Sequence, residues 1–470
     1  MQNWYGPTLA LPVVPPTRRV DFTRAIDARR ATAPIRIGEI SSIYRIGIAA
    51  ALTLTMSRMR LRFVLIGCLV LAGCSLSHPH YLAPDVHVGE PAFARSLEAH
   101  TMSSPVGGNR ARLLLNGDQI LPAMLTAIRQ ARATITFANF IYEDGPVARD
   151  MASALAERCR AGVRVHVLLD AVGSSDMPHE YRTRLTDAGC SLAWFHSLNP
   201  FAIKRINHRN HRRILVVDGR VGFTGGTGVG SRWAGDGRQD GHWRQTDVRI
   251  EGPVVRLLQA AFAENWRDAT GVLLGGDAYF PKTERRGDLL IQSVKSSPAG
   301  GAAEAYLLFL LAIDGARSSI YLTNPYFVPD DAMANALVRA AGRGVRVSVI
   351  TAGATQGMLD GLVRKASQAH YARAIKAGVK IYEYGPALLH AKTLVVDERW
   401  VSIGSANLDN RSFALNNELN VVFLDRGLAT QLVAVFQQDL NFARAVDNGG
   451  LRRGLSGIFY LTLLPLRDQL

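Results

Sequence analysis

The sequence predicts an α/β protein made of two pseudo-symmetric α/β sandwich domains that share one active-site cleft. From residue 113 onward, short apolar runs typical of buried strands alternate with stretches that have helical spacing. The same order of patterns returns roughly 180 to 190 residues later, which is too long a period for a solenoid repeat and indicates a duplicated domain. Each copy closes on a His-x-basic-x4-Asp motif.

The first copy shows the alternation most clearly. The predicted elements are a helix over 120–131, a strand over 134–137, a helix over 147–160, a buried strand over 163–169 and, near the C-terminus, a helix over 427–444. AIRQARATITFANFIYEDG in the first copy is echoed by AIDGARSSIYLTNPYFVPD in the second. We therefore expect a first domain over 113–274 and a second over 277–470.

The motif of the second copy lies in LLHAKTLVVDERWVSIGSAN, over residues 388–407, and contains His390, Lys392 and Asp397. Because side chains alternate along a strand, His390 and Lys392 project from the same face and can converge on one anion. A cation that holds phosphate oxygens, beside an imidazole that attacks phosphorus or transfers a proton, suits a phosphodiester substrate.

The first copy repeats this motif in HRNHRRILVVDGRVGFTGGTG, over residues 208–228, with His211, Arg213 and Asp218. With 12 His, 54 Lys+Arg and 39 Asp+Glu in 470 residues, chance predicts on the order of 0.1 such matches. Two occur. One histidine can form a phosphohistidine while the other protonates the leaving alcohol, and these residues alone do not decide which does which.

At these two motifs the sequence resembles the phospholipase D superfamily. NPYFVPD over 324–330 and VRIEGPVV over 248–255 are typical of its bacterial cardiolipin synthase branch. The resemblance runs from about residue 113 to the C-terminus. It implies one phosphate site built from both motifs, with no metal or other cofactor, and it favours His211 as the nucleophile and His390 as the acid/base.

Several positions near the motifs differ between the two copies. Arg213 replaces the usual Lys of the family, although a guanidinium can still hold phosphate with two donors. Gly226 and Gly228 stand where the second copy has Ser405 and Asn407. We expect Gly225 and Gly226, like Ser405 and Asn407, to support the phosphate site, with the first copy relying more on backbone donors.

The resemblance also implies carboxylates that hold the histidines in the right tautomer. Glu418 is at the expected place in the second copy, whereas the first copy has Gln245 two residues after Trp243. Asp247 lies on the same strand face and is the predicted substitute, with a structural role for it equally open. Asp218 and Asp397 end their strands, so they either handle protons or pin the local backbone.

The N-terminal region predicts export. Residues 56–73 combine a basic start with an apolar run, and Leu71-Ala72-Gly73-Cys74 resembles a lipobox. We expect a lipoprotein signal peptide over 56–73, lipid modification of Cys74, and a tether over 74–112, with residues 1–55 an upstream misannotation or leader. Ser75 after the cysteine favours the outer membrane, facing the periplasm.

Composition is consistent with these expectations. The chain is 48% hydrophobic and 20% charged, and its net charge of +15 at pH 7 indicates an anionic partner. Cys159 and Cys190 could pair in the periplasm, although two separate small buried residues are the expectation.

Three functions remain open. The leading hypothesis is a membrane-associated phosphatidyltransferase or phospholipase D, most simply a monomer that makes cardiolipin from anionic phospholipid. The alternatives are a nuclease and an inactive lipid-binding lipoprotein. Nucleic acid is not the expected partner, because the sequence has no tract of interleaved aromatic and basic residues.

Overall fold

The structure is a computed structural model that describes residues 81, 83–196, 207–297, 303–353, 367–368 and 370–447. The predicted leader over 1–55, the signal peptide over 56–73 and Cys74 lie outside these residues. The described residues belong to one compact unit. None of the described helices is both long and apolar enough to span a membrane.

Strands and helices alternate along each half of the described chain. The helices are α1 (Pro91–Thr101), α2 (Asn116–Arg129), α3 (Pro146–Arg160), α4 (His179–Asp187), α5 (Val255–Thr270), α6 (Glu304–Asp314), α7 (Asp331–Gly342), α8 (Asn410–Ala414) and α9 (Arg426–Leu440). The strands of the first half are β1 (Val106–Leu115), β2 (Thr134–Asn139), β3 (Arg164–Asp170), β4 (Ser191–Phe195), β5 (Ile214–Val217), β6 (Val221–Thr224) and β7 (Thr246–Glu251). Those of the second half are β8 (Leu289–Ser296), β9 (Ser319–Thr323), β10 (Phe327–Val328), β11 (Arg346–Ala352), β12 (Lys380–Tyr384), β13 (Thr393–Val396), β14 (Trp400–Gly404), β15 (Leu408–Asp409), β16 (Glu418–Leu424) and β17 (Ala443–Ala445).

Fifteen of the described strands form one continuous sheet, in the order β17-β12-β11-β9-β13-β14-β16-β8-β1-β7-β6-β5-β2-β3-β4. Outward from the antiparallel β1–β8 pair, each half runs through strands with the same order and direction, and β17 extends the second half. The predicted pseudo-symmetric α/β fold is confirmed, and its two halves meet edge to edge in the sheet.

The core lies on both faces of this sheet. On one face, α2, α3 and α4 pack on the first half and α1, α6 and α7 on the second. On the other face, α5 and α9 cover a single hydrophobic cluster that contains strand residues from both halves. This shared cluster fixes the two motif strands relative to each other.

Residues 91–115 differ from the sequence expectation, which placed a tether up to residue 112. Phe93 and Leu97, four positions apart on α1, are buried against the second half. The strand β1 lies at the centre of the sheet, between β7 and β8. Gly107 and Gly108 interrupt its apolar pattern, and this hid the strand in the sequence.

Cys159 and Cys190 form a disulfide with Cα atoms 5.6 Å apart. This corrects the expectation of two separate buried residues. The pairing has a simple cause: β3 follows α3 directly, and parallel pairing places the start of β4 beside the start of β3. Cys190, just before β4, therefore meets Cys159 near the end of α3.

Candidate active site

Each motif pairs with a segment from the opposite half of the protein. The His211 N–H donates to the carbonyl of Asn417 at 3.0 Å, and the His390 N–H donates to the carbonyl of Arg244 at 2.8 Å. Both contacts belong to isolated parallel bridges between the halves. The strands that follow, β5 and β13, are completely buried four-residue runs. The two motifs therefore enter one site from opposite sides.

The two histidines and the two basic residues form one buried electrostatic cluster, made of His211, Arg213, His390 and Lys392. Burial, followed by the charges of Arg213 and Lys392, holds the pKa of His211 well below its ordinary value. Burial, Lys392, Arg213 and His211 lower the pKa of His390 in the same way. Both rings are therefore neutral near pH 7, the form in which an imidazole can attack phosphorus.

Arg213 and Lys392 occupy matching positions, although they differ in chemistry. The Arg213 Nη1 donates to the carbonyl of His211 at 2.5 Å, and the Lys392 Nζ donates to the carbonyl of His390 at 2.7 Å. The Nε and Nη2 atoms of Arg213 are buried and have no hydrogen-bond partner among the described residues. These two donors form one edge of the guanidinium, which suits two oxygens of a phosphate.

Burial also opposes charge on the two cations. It lowers the pKa of Arg213 to about 10, and burial with Arg213 beside it lowers the pKa of Lys392 well below its ordinary value. An anion between them would offset this penalty. The site is therefore electrostatically suited to a phosphate diester.

Glu418 belongs to the second half but holds the histidine of the first. The Nδ1–H of His211 donates to Glu418 Oε1 at 2.8 Å, and the Ser405 hydroxyl donates to Glu418 Oε2. Burial raises the pKa of Glu418 to about 7, against the Ser405 hydrogen bond and the charge of Arg213. With Nδ1 engaged, the Nε2 lone pair of His211 is left for substrate.

Asp247 supports the glycine loop of the first half. Its carboxylate accepts the Gly226 N–H at 3.0 Å, and burial raises its pKa to about 6. A Cβ on Gly225 would collide with the Asp247 carboxylate, and one on Gly226 would collide with the amide of Gln245. These two collisions explain why both positions are occupied by glycine.

In the second half, the loop that contains Ser405 and Asn407 is also buried against its neighbours. The Ser405 N–H donates to the carbonyl of Leu419 at 3.0 Å. The Asn407 N–H donates to the hydroxyl of Ser412 at 3.0 Å. These contacts hold the loop beside Glu418.

Asp218 and Asp397 lie at the far ends of their strands from the histidines. Each has a φ of 51° and begins the turn between two hairpin strands. The Asp218 carboxylate accepts the N–H groups of Arg132, Ala133 and Thr134. The Asp397 carboxylate accepts those of Arg317, Ser318 and Ser319, and His87 Nε2 is 2.8 Å away. This geometry favours the backbone-pinning alternative.

The sequence did not reveal three further neighbours of the motifs. The rings of Trp243 and Trp233 lie 5.0 and 6.1 Å from the His390 ring. Arg212, between the two motif residues of the first half, is fully buried and donates to the Glu418 carbonyl and to Ser296. An arginine just before a buried apolar strand is a detectable signal for such a clamp, but its partners are distant in sequence.

Within the described residues, no group of three His, Cys, Asp or Glu side chains could hold a metal ion. Two imidazoles, one of them held by a carboxylate, lie beside two buried cations where the two α/β halves meet. This site defines a two-motif enzyme that breaks and forms phosphodiester bonds. Comparisons with known proteins agree with this class of enzyme.

A profile described as "Cardiolipin synthase, PLD-like domain" matches residues 124–243 and 309–440. Cardiolipin synthase A of Pseudomonas syringae pv. syringae (strain B728a) is 38% identical over 349 residues, which are 73% of this chain and 71% of that protein. Cardiolipin synthase A of Pseudomonas aeruginosa (strain LESB58) is 38% identical over 357 residues, 75% of this chain and 71% of that protein. The chain therefore belongs to the cardiolipin synthase family of PLD-like enzymes.

The fold has a solved counterpart in the crystal structure of phosphatidylserine synthase from Haemophilus influenzae Rd KW20. The two superpose with a TM-score of 0.63 at 11% identity, over 81% of this chain and 100% of that one. At this identity the likeness concerns the fold alone. The predicted superfamily and its cardiolipin synthase branch are confirmed.

Proposed function

We propose that this protein is a phosphatidyltransferase that joins two phosphatidylglycerol molecules into cardiolipin and releases glycerol. The main support for this function is the buried cluster of two histidines and two cations in a chain of the cardiolipin synthase family. The donor edge of Arg213, which has no hydrogen-bond partner among the described residues, supports a phosphate as the bound group.

The reaction proceeds in two displacements at one phosphorus. The Nε2 atom of His211 attacks, the bond from phosphorus to the head-group glycerol oxygen breaks, and His390, protonated when the phosphate anion binds, gives its proton to that oxygen. A hydroxyl of the second phosphatidylglycerol then gives its proton to His390 and attacks the phosphohistidine, which frees His211. Arg213 and Lys392 stabilise the charge on the non-bridging oxygens in both steps.

The experiment is a product analysis. Purified protein is incubated with phosphatidylglycerol alone and with mixed phospholipids, and the products are identified by mass. We expect cardiolipin and glycerol, and their loss in His390→Asn with unchanged thermal unfolding. Phosphatidic acid as the sole product would indicate a hydrolase with water as acceptor, and no product from any phospholipid would contradict the proposal.

The enzyme acts at the bacterial envelope, anchored through a lipid on Cys74 and facing the periplasm. The lipobox sequence supports the anchor, and the Cys159–Cys190 disulfide supports an oxidising compartment. Intact-mass analysis of membrane-extracted protein tests this. A mature chain without lipid at Cys74 contradicts the anchor, and two free thiols in protein extracted under thiol blocking contradict the compartment.

A further inference from the structure

The pseudo-symmetry of the sheet identifies the residue that faces His390 in the way that Glu418 faces His211. Thr224 and Ile403 each lie thirteen residues after their motif histidine, and they pair with Val248 and Val421. Gln245 and Glu418 each lie three residues before those partners. The two side chains are therefore structural equivalents.

The backbone around the two histidines gives the same correspondence. The His211 N–H donates to the carbonyl just before Glu418, and the His390 N–H donates to the carbonyl just before Gln245. The Gln245 amide also abuts Gly226, whose backbone is close enough to the His390 ring to raise its pKa. The amide and the ring are therefore both neighbours of Gly226.

Both side chains have hydrogen-bonding capacity left over. The Nδ1 atom of His390 is buried and has no partner among the described residues, and the same holds for Nε2 of Gln245. Gln245 Oε1 accepts the Thr246 N–H at 3.2 Å and keeps a second lone pair. Because the terminal torsion of a glutamine is soft, rotation about it can redirect this amide toward a neighbouring donor.

Asp247, the other candidate partner of His390, is committed elsewhere. It accepts the Gly226 N–H, and its equivalent in the second half, Asn420, accepts the Ala406 N–H. The matched pair therefore serves the two loops. This leaves Gln245 as the residue that can orient the His390 ring.

We propose that Gln245 is the positioning residue of His390, and that its neutral amide makes the two catalytic histidines chemically unequal. His211 is paired with a carboxylate, which stabilises an imidazolium, whereas His390 is paired with an amide, which orients the ring without that stabilisation. Lys392 from its own motif and Arg213 and His211 from the other face His390 and disfavour its protonation. Asp247, with a pKa of about 6, is bonded to the neighbouring Gly226. The neutral rings of Trp233 and Trp243 also lie against His390, with Arg232 stacked 5.0 Å over Trp243.

The expected change in the pH dependence of activity follows from the proposed role of His390 as proton donor. The direction of this change therefore rests on the proposed function. A carboxylate at position 245 raises the pKa of His390, and about one pKa unit of change is expected from a close opposite charge. Activity rises about tenfold at every pH above the lowered pKa of His390, where the unaltered protein lacks this proton. The gain disappears only below that pKa.

The test compares Gln245→Glu and Gln245→Ala with the unaltered protein, measuring kcat/KM for cardiolipin formation from pH 5 to 9. We expect Gln245→Glu to gain about tenfold from pH 7 to 9, where His390 is neutral in the unaltered protein. We expect Gln245→Ala to lose about 10- to 100-fold in kcat, comparable to the loss of a partner that orients a metal-binding histidine. Asn420→Asp, which adds a carboxylate that faces the loop, is the matched control and should leave the shape of the profile unchanged.

An NMR titration of histidine-labelled full-length protein, with His390→Asn for assignment, gives a readout that does not need activity. The His390 pKa should be higher in Gln245→Glu than in the unaltered protein. An unchanged His390 pKa in folded Gln245→Glu, or no gain in activity from pH 7 to 9, would overturn the proposal. Absence of cardiolipin formation by the unaltered protein would contradict the proposed function instead, and the titration would still decide the contact.

Discussion

At the scale of single residues, the proposed mechanism gives phosphate binding to the two cations and proton transfer to a histidine. Arg213 and Lys392 are each tied to the carbonyl of the histidine two residues earlier, so each cation and its imidazole are positioned together. The histidines are kept neutral by burial and by these cations. A bound phosphate therefore favours the protonation that the reaction needs, because it supplies the missing negative charge.

His211→Asn and His390→Asn should each abolish turnover of phosphatidylglycerol, because an asparagine side chain cannot replace an imidazole in the covalent route. Lys392→Ala and Arg213→Ala should lower kcat by roughly 10² to 10³, the cost of removing one electrostatic contact to the transition state. Arg213→Lys should keep substantial activity, since an ammonium can take the same carbonyl contact as Lys392. Product mass spectrometry measures all five variants, and equal loss in Arg213→Lys and Arg213→Ala would contradict an interchangeable clamp.

Glu418→Gln should change how stability depends on pH. The pKa of Glu418 is raised from 4.5 to about 7 in the folded protein, so the folded state holds this proton more tightly than the unfolded chain. That contribution is present below pH 4.5 and is lost as pH rises through about 7, up to about 3 kcal/mol. Relative to the unaltered protein, Glu418→Gln should gain stability in denaturant unfolding between pH 5 and pH 8. A difference that does not vary with pH would contradict a charged, buried Glu418.

At the scale of strands and helices, the motif strands are anchored at both ends. Their starts pair across the halves, and their ends are held by Asp218 and Asp397, which accept three backbone N–H groups each. Asp218 and Asp397 are therefore each separated from the histidine of their motif by a whole strand. Their role in this structure is to fix the turns.

Asp218→Asn and Asp397→Asn should lower the free energy of unfolding by about 1 to 3 kcal/mol, because an amide oxygen replaces a charged acceptor of three backbone N–H groups. Turnover per folded molecule should stay within a few-fold of the unaltered protein. The check is denaturant unfolding combined with kcat measured well below the unfolding midpoint. A loss of kcat as large as that of His390→Asn would show that these carboxylates take part in proton transfer.

The sequence was informative where a pattern is local. The helix α3 and the strand β3 follow apolar periodicity, and the two motifs were visible from residue spacing alone. Features that depend on contacts distant in sequence were not predictable: the pairing of Cys159 with Cys190 depends on parallel strands side by side, and the strand β1 was hidden by its glycines. For the same reason, Glu418 was expected near a histidine, but the sequence could not show that this was the histidine of the other half.

At the scale of the whole molecule, the sheet makes the two halves one enzyme. The β1–β8 pair joins them, and a single hydrophobic cluster beneath both contains residues of α5 and α9. The Glu418–His211 contact crosses from one half to the other, as does the hydrogen bond from the His390 N–H to the Arg244 carbonyl. One chain therefore contains one complete site.

Mixing His211→Asn protein with His390→Asn protein should not restore activity. Every chain in the mixture has one defective site, because both motifs of a site come from the same polypeptide. Cardiolipin formation by the mixture, after co-refolding or co-expression, is measured against each variant alone. Recovery of turnover, up to about a quarter of normal when exchange is complete and random, would indicate that sites form between exchanged halves of two chains.

The central claim, a covalent phosphatidyl intermediate on the first motif of a shared site, is tested most directly by trapping that intermediate. Protein turning over phosphatidylglycerol is quenched under conditions that preserve phosphohistidine, digested, and analysed by mass spectrometry. We predict a phosphatidyl adduct on the peptide that contains His211, absent in His211→Asn and still detectable in His390→Asn, where its transfer to the acceptor is slowed. An adduct on His390, or active protein with no adduct on either histidine, would contradict the account.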